Sequence, residues 1–546
     1  MDLFGEAMNL LGRAGTEARY AATLLRARGP GIPVIPPRRL AGVLRALDAY
    51  GPGGAAIALA AATQPDGVAI IDERGQASFA DIDTRSNQIA NELLRSGFQA
   101  GDSLGILARN HRNLFEAVFA AAKLGARTLL LNTDFAGPQL VDVCQREEVR
   151  LLVHDEEFDA IVSGYEPPLG RAVAWIDDLA GPRERTTLDS LAERGDPSPP
   201  ARPARKQRIV LLTSGTTGTP KGAPRDLALS TIIPGGYLSK IPLRGGRTVL
   251  LAAPAFHAWG LLSSMLALGL GDTIVVNRRF DPKFALAALE DHRCDALITI
   301  PVLLSRLMAL GEGELASHDL TALRVIAVSG SALDPALATR TMDLLGDILY
   351  NLYGSTEVAY ATIATPQDLR AAPGTVGRAP LGTTVRLLDA DGAQAPPGAS
   401  GRIFVGNSIQ FDGYTGGGHK ETIAGLMSTG DIGHFDDAGR LFVEGRDDDM
   451  VVSGGENVFP AEIEELLATH EQIIEAAVIG VEDPDFGTRL RAYVVGEPGA
   501  DLNPDVVREF VKANLARYKV PREVVVVPEL PRNPAGKVVK RLLPEA

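Results

Sequence analysis

Thr213-Ser214-Gly215-Thr216-Thr217-Gly218-Thr219-Pro220-Lys221-Gly222 follows directly on the apolar run Ile209-Val210-Leu211-Leu212. The run has the length of a buried strand. The ten residues after it combine hydroxyls, glycines and one cation, a composition that turns backbone N–H groups and side-chain donors toward phosphate oxygens. The spacing comes near that of a P-loop. Pro220, however, stands where glycine precedes the lysine, and Gly222 stands where Ser or Thr would hold magnesium, so a kinase or motor NTPase is a poor reading. A loop that grips a triphosphate is the better one.

Around this loop, from about residue 68 to 360, short apolar runs alternate with helical patterns. Val249-Leu250-Leu251, Ile274-Val275-Val276, Leu297-Ile298-Thr299-Ile300 and Val325-Ile326-Ala327-Val328 are examples. Such alternation predicts crossover units and a largely parallel sheet. The stretch from Pro167 to Arg205, dense in proline and charge, reads as a surface connection. Between about 375 and 445 shorter strands are separated by turns such as Asp389-Ala390-Asp391-Gly392 and Pro396-Pro397-Gly398, which predicts a small β subdomain. After Arg446 the pattern is a compact α+β unit, with a helix from Pro460, strands near 476–481 and 490–495, a helix near 504–516 and a strand at 524–527. The expected fold class is therefore α/β: a large N-terminal α/β region with a small β subdomain, plus a C-terminal α+β domain. The expected boundaries are an N-terminal helical extension over 1–50, a large N-terminal domain over 51–445 that carries the 213–222 loop, and a C-terminal domain over 446–546.

Composition agrees with a globular chain. At 546 residues, more than one core is expected, and 45% hydrophobic with 22% charged residues leaves ample material for it. A net charge of -14 repels nucleic acid, so any polyanion must be held by a local basic site. The two cysteines, Cys144 and Cys294, have no metal-ligand spacing and suit a reducing cytoplasm. The start lacks the pattern of a secretory signal, and no apolar run reaches bilayer length, which predicts a cytoplasmic protein. Residues 1–50 carry an arginine excess and read as two short amphipathic helices. Packing on the protein's own surface is the plainer expectation; contact with the inner face of a membrane is the other.

Further motifs follow in order: Pro254-Ala255-Phe256-His257-Ala258-Trp259-Gly260, Ser329-Gly330-Ser331-Ala332-Leu333, Tyr353-Gly354-Ser355-Thr356-Glu357, Thr429-Gly430-Asp431, Gly445-Arg446-Asp447-Asp448-Asp449-Met450, Ser453-Gly454-Gly455-Glu456 and Pro531-Arg532-Asn533-Pro534-Ala535-Gly536-Lys537. With the 213–222 loop, and from about residue 55 to the end, the chain resembles the adenylate-forming superfamily of acyl-CoA synthetases, peptide-synthetase adenylation domains and luciferases. Departures are Leu333 where proline is common, and a loose Gly413-Tyr414-Thr415-Gly416-Gly417-Gly418 to which no role is given.

The resemblance implies ATP binding by Thr213, Ser214, Gly215, Thr216, Thr217, Gly218 and Lys221, with an adenine turn at Gly330, Ser331 and Ala332. It implies that Tyr353 and Gly354 lie against adenine, that Thr356 approaches the α-phosphate and that Glu357 holds Mg2+, for which a carboxylate is the fitting donor. Asp431 would take the ribose hydroxyls, with Arg446 nearby. His257 and Trp259 would border the acyl entrance, Trp259 as a candidate gate. Asp448 would be the pivot of a mobile C-terminal domain, three adjacent acids disfavouring regular packing there. Gly454 and Gly455 would let the pantetheine arm of coenzyme A pass, and Lys537 would be the catalytic lysine.

The expected activity is ATP-dependent acid–thiol ligation through acyl-AMP. The favoured acid is a medium- or long-chain fatty acid, from the apolar Trp259, Leu261, Leu262 and Met265. Coenzyme A is the favoured acceptor, because the chain ends soon after Lys537 and no aspartate near His257 would pair with an amino acid's ammonium. An aryl- or short-chain acid ligase, or a ligase loading a carrier protein, stays open. A non-enzymatic sensor is disfavoured by the presence of Lys221, Glu357, Asp431 and Lys537.

Overall fold

The structure is a computed structural model that describes residues 19–27, 37–177, 185–213, 221–226, 232–407, 409–411, 413–415, 417–447, 451–453, 456–458, 460–483, 487–500, 502–515, 519–533 and 536–544. The alternating apolar runs do become parallel strands, but they divide between two sheets. One has eight strands in the order Thr362–Ala364, Leu349–Tyr353, Val325–Val328, Ala296–Thr299, Thr248–Leu251, Thr273–Val276, Val68–Asp72 and Gly75–Ser78. The other has six, in the order Arg171–Val173, Val149–His154, Ser103–Leu107, Arg127–Leu130, Arg208–Thr213 and Lys221–Asp226. Pairing is parallel through the middle of both and antiparallel at the ends of the first and at the last pair of the second. Strands such as Val325–Val328 and Ala296–Thr299 are buried throughout, as expected where helices cover both faces. Periodicity identifies a crossover strand; it does not say which of two sheets receives it.

Helix Arg112–Leu124 is buried on nearly every side. Its run of alanines, Ala117 and Ala120 to Ala122, lets neighbouring helices approach closely. Its one buried cation, Lys123, is satisfied by Asp83 Oδ1 at 2.7 Å, the Asp83 carbonyl at 2.9 Å and Ser86 Oγ at 2.7 Å. The stretch read as a surface connection is more ordered than expected. It contains strand Arg171–Val173, helix Leu188–Arg194 and a buried Trp175 covered by the Arg74 guanidinium, 3.9 Å from the ring centroid. A three-residue strand is too short for its proline- and charge-rich flanks to reveal.

Five strands between Thr384 and Arg446 make the β subdomain, and Ile473–Asp483, Gly487–Gly496 and Glu523–Val526 make the C-terminal sheet. Helices Pro460–Leu467 and Pro504–Asn514 lie at the predicted places. At the other end, residues 19–27 are helical. A second helix, Pro37–Thr63, runs past residue 50 and bends at Gly51, whose φ is 73°.

The topology brings the motifs together. Pro254–His257, Ile300–Val302 and Ser329–Leu333 each follow the C-terminal end of a parallel strand of the eight-stranded sheet, and Tyr353 ends another. This is the edge at which open α/β sheets bind ligands.

Candidate functional site

The phosphate loop joins two antiparallel strands, Arg208–Thr213 and Lys221–Asp226, whose register closes at Thr213 opposite Lys221. Ser214, Gly215, Thr216, Thr217 and Gly218 lie outside the described residues. So do the pivot Asp448 and the pair Gly454-Gly455. Strands Val451–Ser453 and Glu456–Val458 pair on either side of that glycine pair, Ser453 opposite Glu456.

The turn after strand Val325–Val328 presents Gly330, Ser331 and Ala332 toward the same end of the sheet as Tyr353, with Gly330 at φ 105°. Tyr353 reaches across to the β subdomain. Its hydroxyl donates to Asp431 Oδ2 and lies 3.2 Å from Thr429 Oγ1. Burial and the charge of Asp431 push this hydroxyl well above the ordinary tyrosine range, so it remains a donor. Asp431 sits opposite Arg446 in the strand register, with Oδ1 3.5 Å from the guanidinium. Burial raises its carboxyl even though Tyr353, Arg446, Lys537 and Lys420 all act to lower it. Each carboxylate oxygen has two lone pairs, so room for further donors remains.

Thr356 lies in the turn after Gly354, and Glu357 beyond it is buried and accepts the Tyr414 hydroxyl on Oε1 at 2.6 Å. The adjacent Thr415 points the other way. Its hydroxyl donates to Glu147 Oε1 at 2.6 Å and accepts from the Gly222 N–H at 3.2 Å, while its own N–H donates to the Gly222 carbonyl at 2.8 Å. The segment left without a role in the sequence therefore ties the exit of the phosphate loop to Glu357. Two adjacent hydroxyl side chains, Tyr414 and Thr415, set among glycines were the available signal.

Glu357 also passes a chemical test for magnesium. Its carboxylate is a hard oxygen donor, buried and held on one oxygen by Tyr414. One carboxylate beside phosphate oxygens is the usual arrangement for that ion.

His257 caps helix Ala258–Leu270 and packs its ring on Phe256 at 4.5 Å between centroids. Its Nε2 is buried without a hydrogen-bond partner among the described residues. Burial first, and the charge of Lys537 second, push it down to about 4, so the imidazole is neutral at pH 7. Trp259 is 7% exposed, donates Nε1–H to the Thr299 carbonyl at 2.8 Å and stacks on Tyr237 at 5.9 Å. A gating swing of Trp259 would have to break that bond.

Lys537 arrives from the C-terminal domain on a turn held by Asn533, whose Oδ1 accepts the Lys537 N–H at 2.9 Å, and by Arg532, which donates to the Gly536 carbonyl at 2.6 Å. The turn rests on the start of helix Pro301–Met308: a methyl on Gly536 would meet Val302 Cγ1 at 2.5 Å. Lys537 is exposed as a residue, while desolvation at its ammonium lowers it below the ordinary lysine range, with Asp431 and Glu357 opposing and Arg446 adding to that effect. The lysine thus lies within electrostatic reach of Asp431, Glu357 and His257.

Comparison with known proteins agrees with this assembly. Residues 57–415 match the family model described as AMP-binding enzyme, and residues 462–537 match the AMP-binding enzyme C-terminal domain. The indoleacetate–CoA ligase of Aromatoleum aromaticum is 32% identical over 488 residues, 88% of this chain and 95% of that protein. The fatty acid–[acyl-carrier-protein] ligase ScoC of Streptomyces coeruleorubidus is 29% identical over 491 residues, 88% of this chain and 93% of that protein. Among solved structures, ATP-bound MatB from Rhodopseudomonas palustris superposes with a TM-score of 0.77 at 27% identity, covering 88% of this chain and 95% of that one. With residues 57–415, most of its length, under one family model, the chain belongs to the AMP-binding enzymes, in the adenylate-forming, acyl-CoA synthetase branch of that superfamily.

Proposed function

We propose that this enzyme joins a medium- or long-chain fatty acid to coenzyme A through an acyl-AMP intermediate. What supports the reading is the electrostatic influence that Lys537, from the C-terminal domain, shares with Asp431, Glu357 and His257, the residues proposed here for ribose, magnesium and acid. In this arrangement an acid oxygen attacks the α-phosphorus and pyrophosphate leaves. Lys537 bridges the carboxylate and α-phosphate charges as they meet, and Thr356 holds the α-phosphate. The neutral His257 positions the acid without adding a second cation. Glu357 would hold Mg2+, which supplies charge neutralisation to the phosphates. Turning about Asp448 then withdraws Lys537 and brings the Gly454-Gly455 face to the thiol, whose sulfur displaces AMP.

The apolar helix Ala258–Leu270 behind His257, with Leu261 buried and Leu262 and Met265 packed on the same core, favours an alkyl chain. A second reading, an aryl acid, is favoured by the Tyr237–Trp259 stack and by the 32% identical indoleacetate ligase. Pyrophosphate exchange with a graded panel of acids separates them. Each buried methylene contributes about 0.8 kcal/mol, so exchange should climb about fourfold per CH₂ until the pocket is full. Best exchange with aryl acids would overturn the alkyl reading. A fatty substrate also suits contact with an anionic lipid surface through the N-terminal helices, where Leu25, Leu40 and Leu44 are 71%, 42% and 57% exposed among arginines. Deleting residues 1–50 should lower vesicle co-sedimentation at low salt; equal sedimentation would remove this part.

A further inference from the structure

The helix at residues 19–27 lies ahead of the region matched by the family model, yet one of its side chains is driven into the enzyme. Tyr20 is 1% exposed, and its hydroxyl donates to the Leu381 carbonyl at 3.0 Å. Two glycines make the room. A methyl on Gly235 would meet the Tyr20 ring at 2.4 Å, and one on Gly382 would fall 1.3 Å from the hydroxyl. The fit is closed further by the Gly245 N–H, which donates to the Ala27 carbonyl at 2.8 Å.

Gly235 belongs to helix Ile232–Leu238, so Tyr20 presses on that helix from outside. The inner side is equally tight. A methyl on Gly236 would meet the Tyr360 hydroxyl at 2.2 Å, and the next residue, Tyr237, is fully buried and stacks on Trp259. Trp259 stands two residues after His257. A short contact path therefore runs from the N-terminal extension, through Tyr20, the glycine pair, Tyr237 and Trp259, to the proposed acid site.

We infer that Tyr20 is a positioning residue for the acid substrate: it sets the depth of helix Ile232–Leu238 and hence where the Tyr237–Trp259 wall stands beside His257. It touches no substrate itself. The inference rests on the reading of His257 as the acid side of the cleft. It assigns the extension a part in selecting acids, distinct from any contact with a lipid surface.

The test uses the full-length enzyme and measures KM for ATP and for each acid of the panel by pyrophosphate exchange, together with Tm. Tyr20→Ala should raise acid KM about tenfold and alter the ranking of acids, because sub-ångström displacement of a positioning wall is costly. KM for ATP should stay within about twofold, and Tyr20→Phe, which keeps the ring, should restore most of the acid preference. Should Tyr20→Ala fail to fold, Gly235→Ala in the otherwise intact chain pushes on the same contact from the other side and must also alter the ranking. Acid and ATP KM rising together, or an unchanged ranking in a folded Tyr20→Ala or Gly235→Ala, would show that Tyr20 only anchors its own helix. A wild-type enzyme that exchanges with no acid at all would instead remove the proposed function, and this role with it.

Discussion

The Tyr414 hydroxyl donates to Glu357 Oε1 at 2.6 Å, and through the neighbouring Thr415 the same segment holds Gly222 at the exit of the phosphate loop. A hydrogen bond to a charged group is worth about 1.5–3 kcal/mol. Tyr414→Phe removes the bond and keeps the ring, so adenylation at limiting magnesium should fall about ten- to a hundredfold, with partial recovery as magnesium is raised. Exchange rates that match wild type across a magnesium titration would show that Tyr414 does not orient Glu357.

Lys537 should divide the two half-reactions. An ammonium fixed where transition-state charge concentrates contributes about 10²- to 10³-fold, so Lys537→Ala should cripple pyrophosphate exchange by that order. Thioester formation from supplied acyl-AMP should stay near wild type. Because its pKa is lowered, the cation is lost at a lower pH than for an ordinary lysine, and exchange should decline on the alkaline side. Lys537→Arg should move that decline to higher pH. Equal slowing of both steps in Lys537→Ala would rule out this division.

His257 makes stability depend on acid pH with a definite sign. Its folded pKa, about 4, lies below the unfolded value of about 6.5, so the unfolded chain binds the extra proton between them. Stability is fully present above the unfolded pKa and is lost as pH falls from there toward 4, by about 3 kcal/mol at most. Urea midpoints at pH 7.5 and 5 should drop less for His257→Gln than for wild type. Parallel drops would mean that this imidazole is not the group responsible.

Trp259→Phe tests wall against gate. The change deletes the bond to the Thr299 carbonyl and some packing against Tyr237, which should cost about 1–3 kcal/mol in stability. If Trp259 is a fixed wall, the thiol step and the rate of acid entry stay within about threefold of wild type. Stopped-flow entry accelerated well beyond that, without loss of stability, would favour a gate.

Much of this site could be read from the chain because its parts are local. Tyr353, Ser331 and the phosphate loop each directly follow or end an apolar strand, and small residues and hydroxyls mark where backbone must approach a ligand. Asp431 and Lys537 are proposed from motif order alone, since neither has a local signature that separates it from a surface residue. The rest depends on partners distant in sequence. Tyr20 bonds a residue 361 positions away, and Tyr414 meets Glu357 across 57. Nothing in the run around Tyr20 announces Gly235 or Gly382. The division of parallel strands between two sheets is hidden for the same reason: Arg127–Leu130 pairs with Arg208–Thr213 across a long intervening segment.

The hairpin that carries the phosphate loop also bears on how the protein behaves in concentrated solution. Its outer strand, Lys221–Asp226, is the last of the six-stranded sheet, the kind of border along which chains can stack into aggregates. Two residues blunt it. Pro224 has no N–H to offer an incoming strand, and the Gly222 carbonyl is already taken by the Thr415 N–H. The same short strand thus joins the proposed phosphate grip to the border of the sheet, and replacing Pro224 by a β-branched residue should lower solubility before it changes turnover.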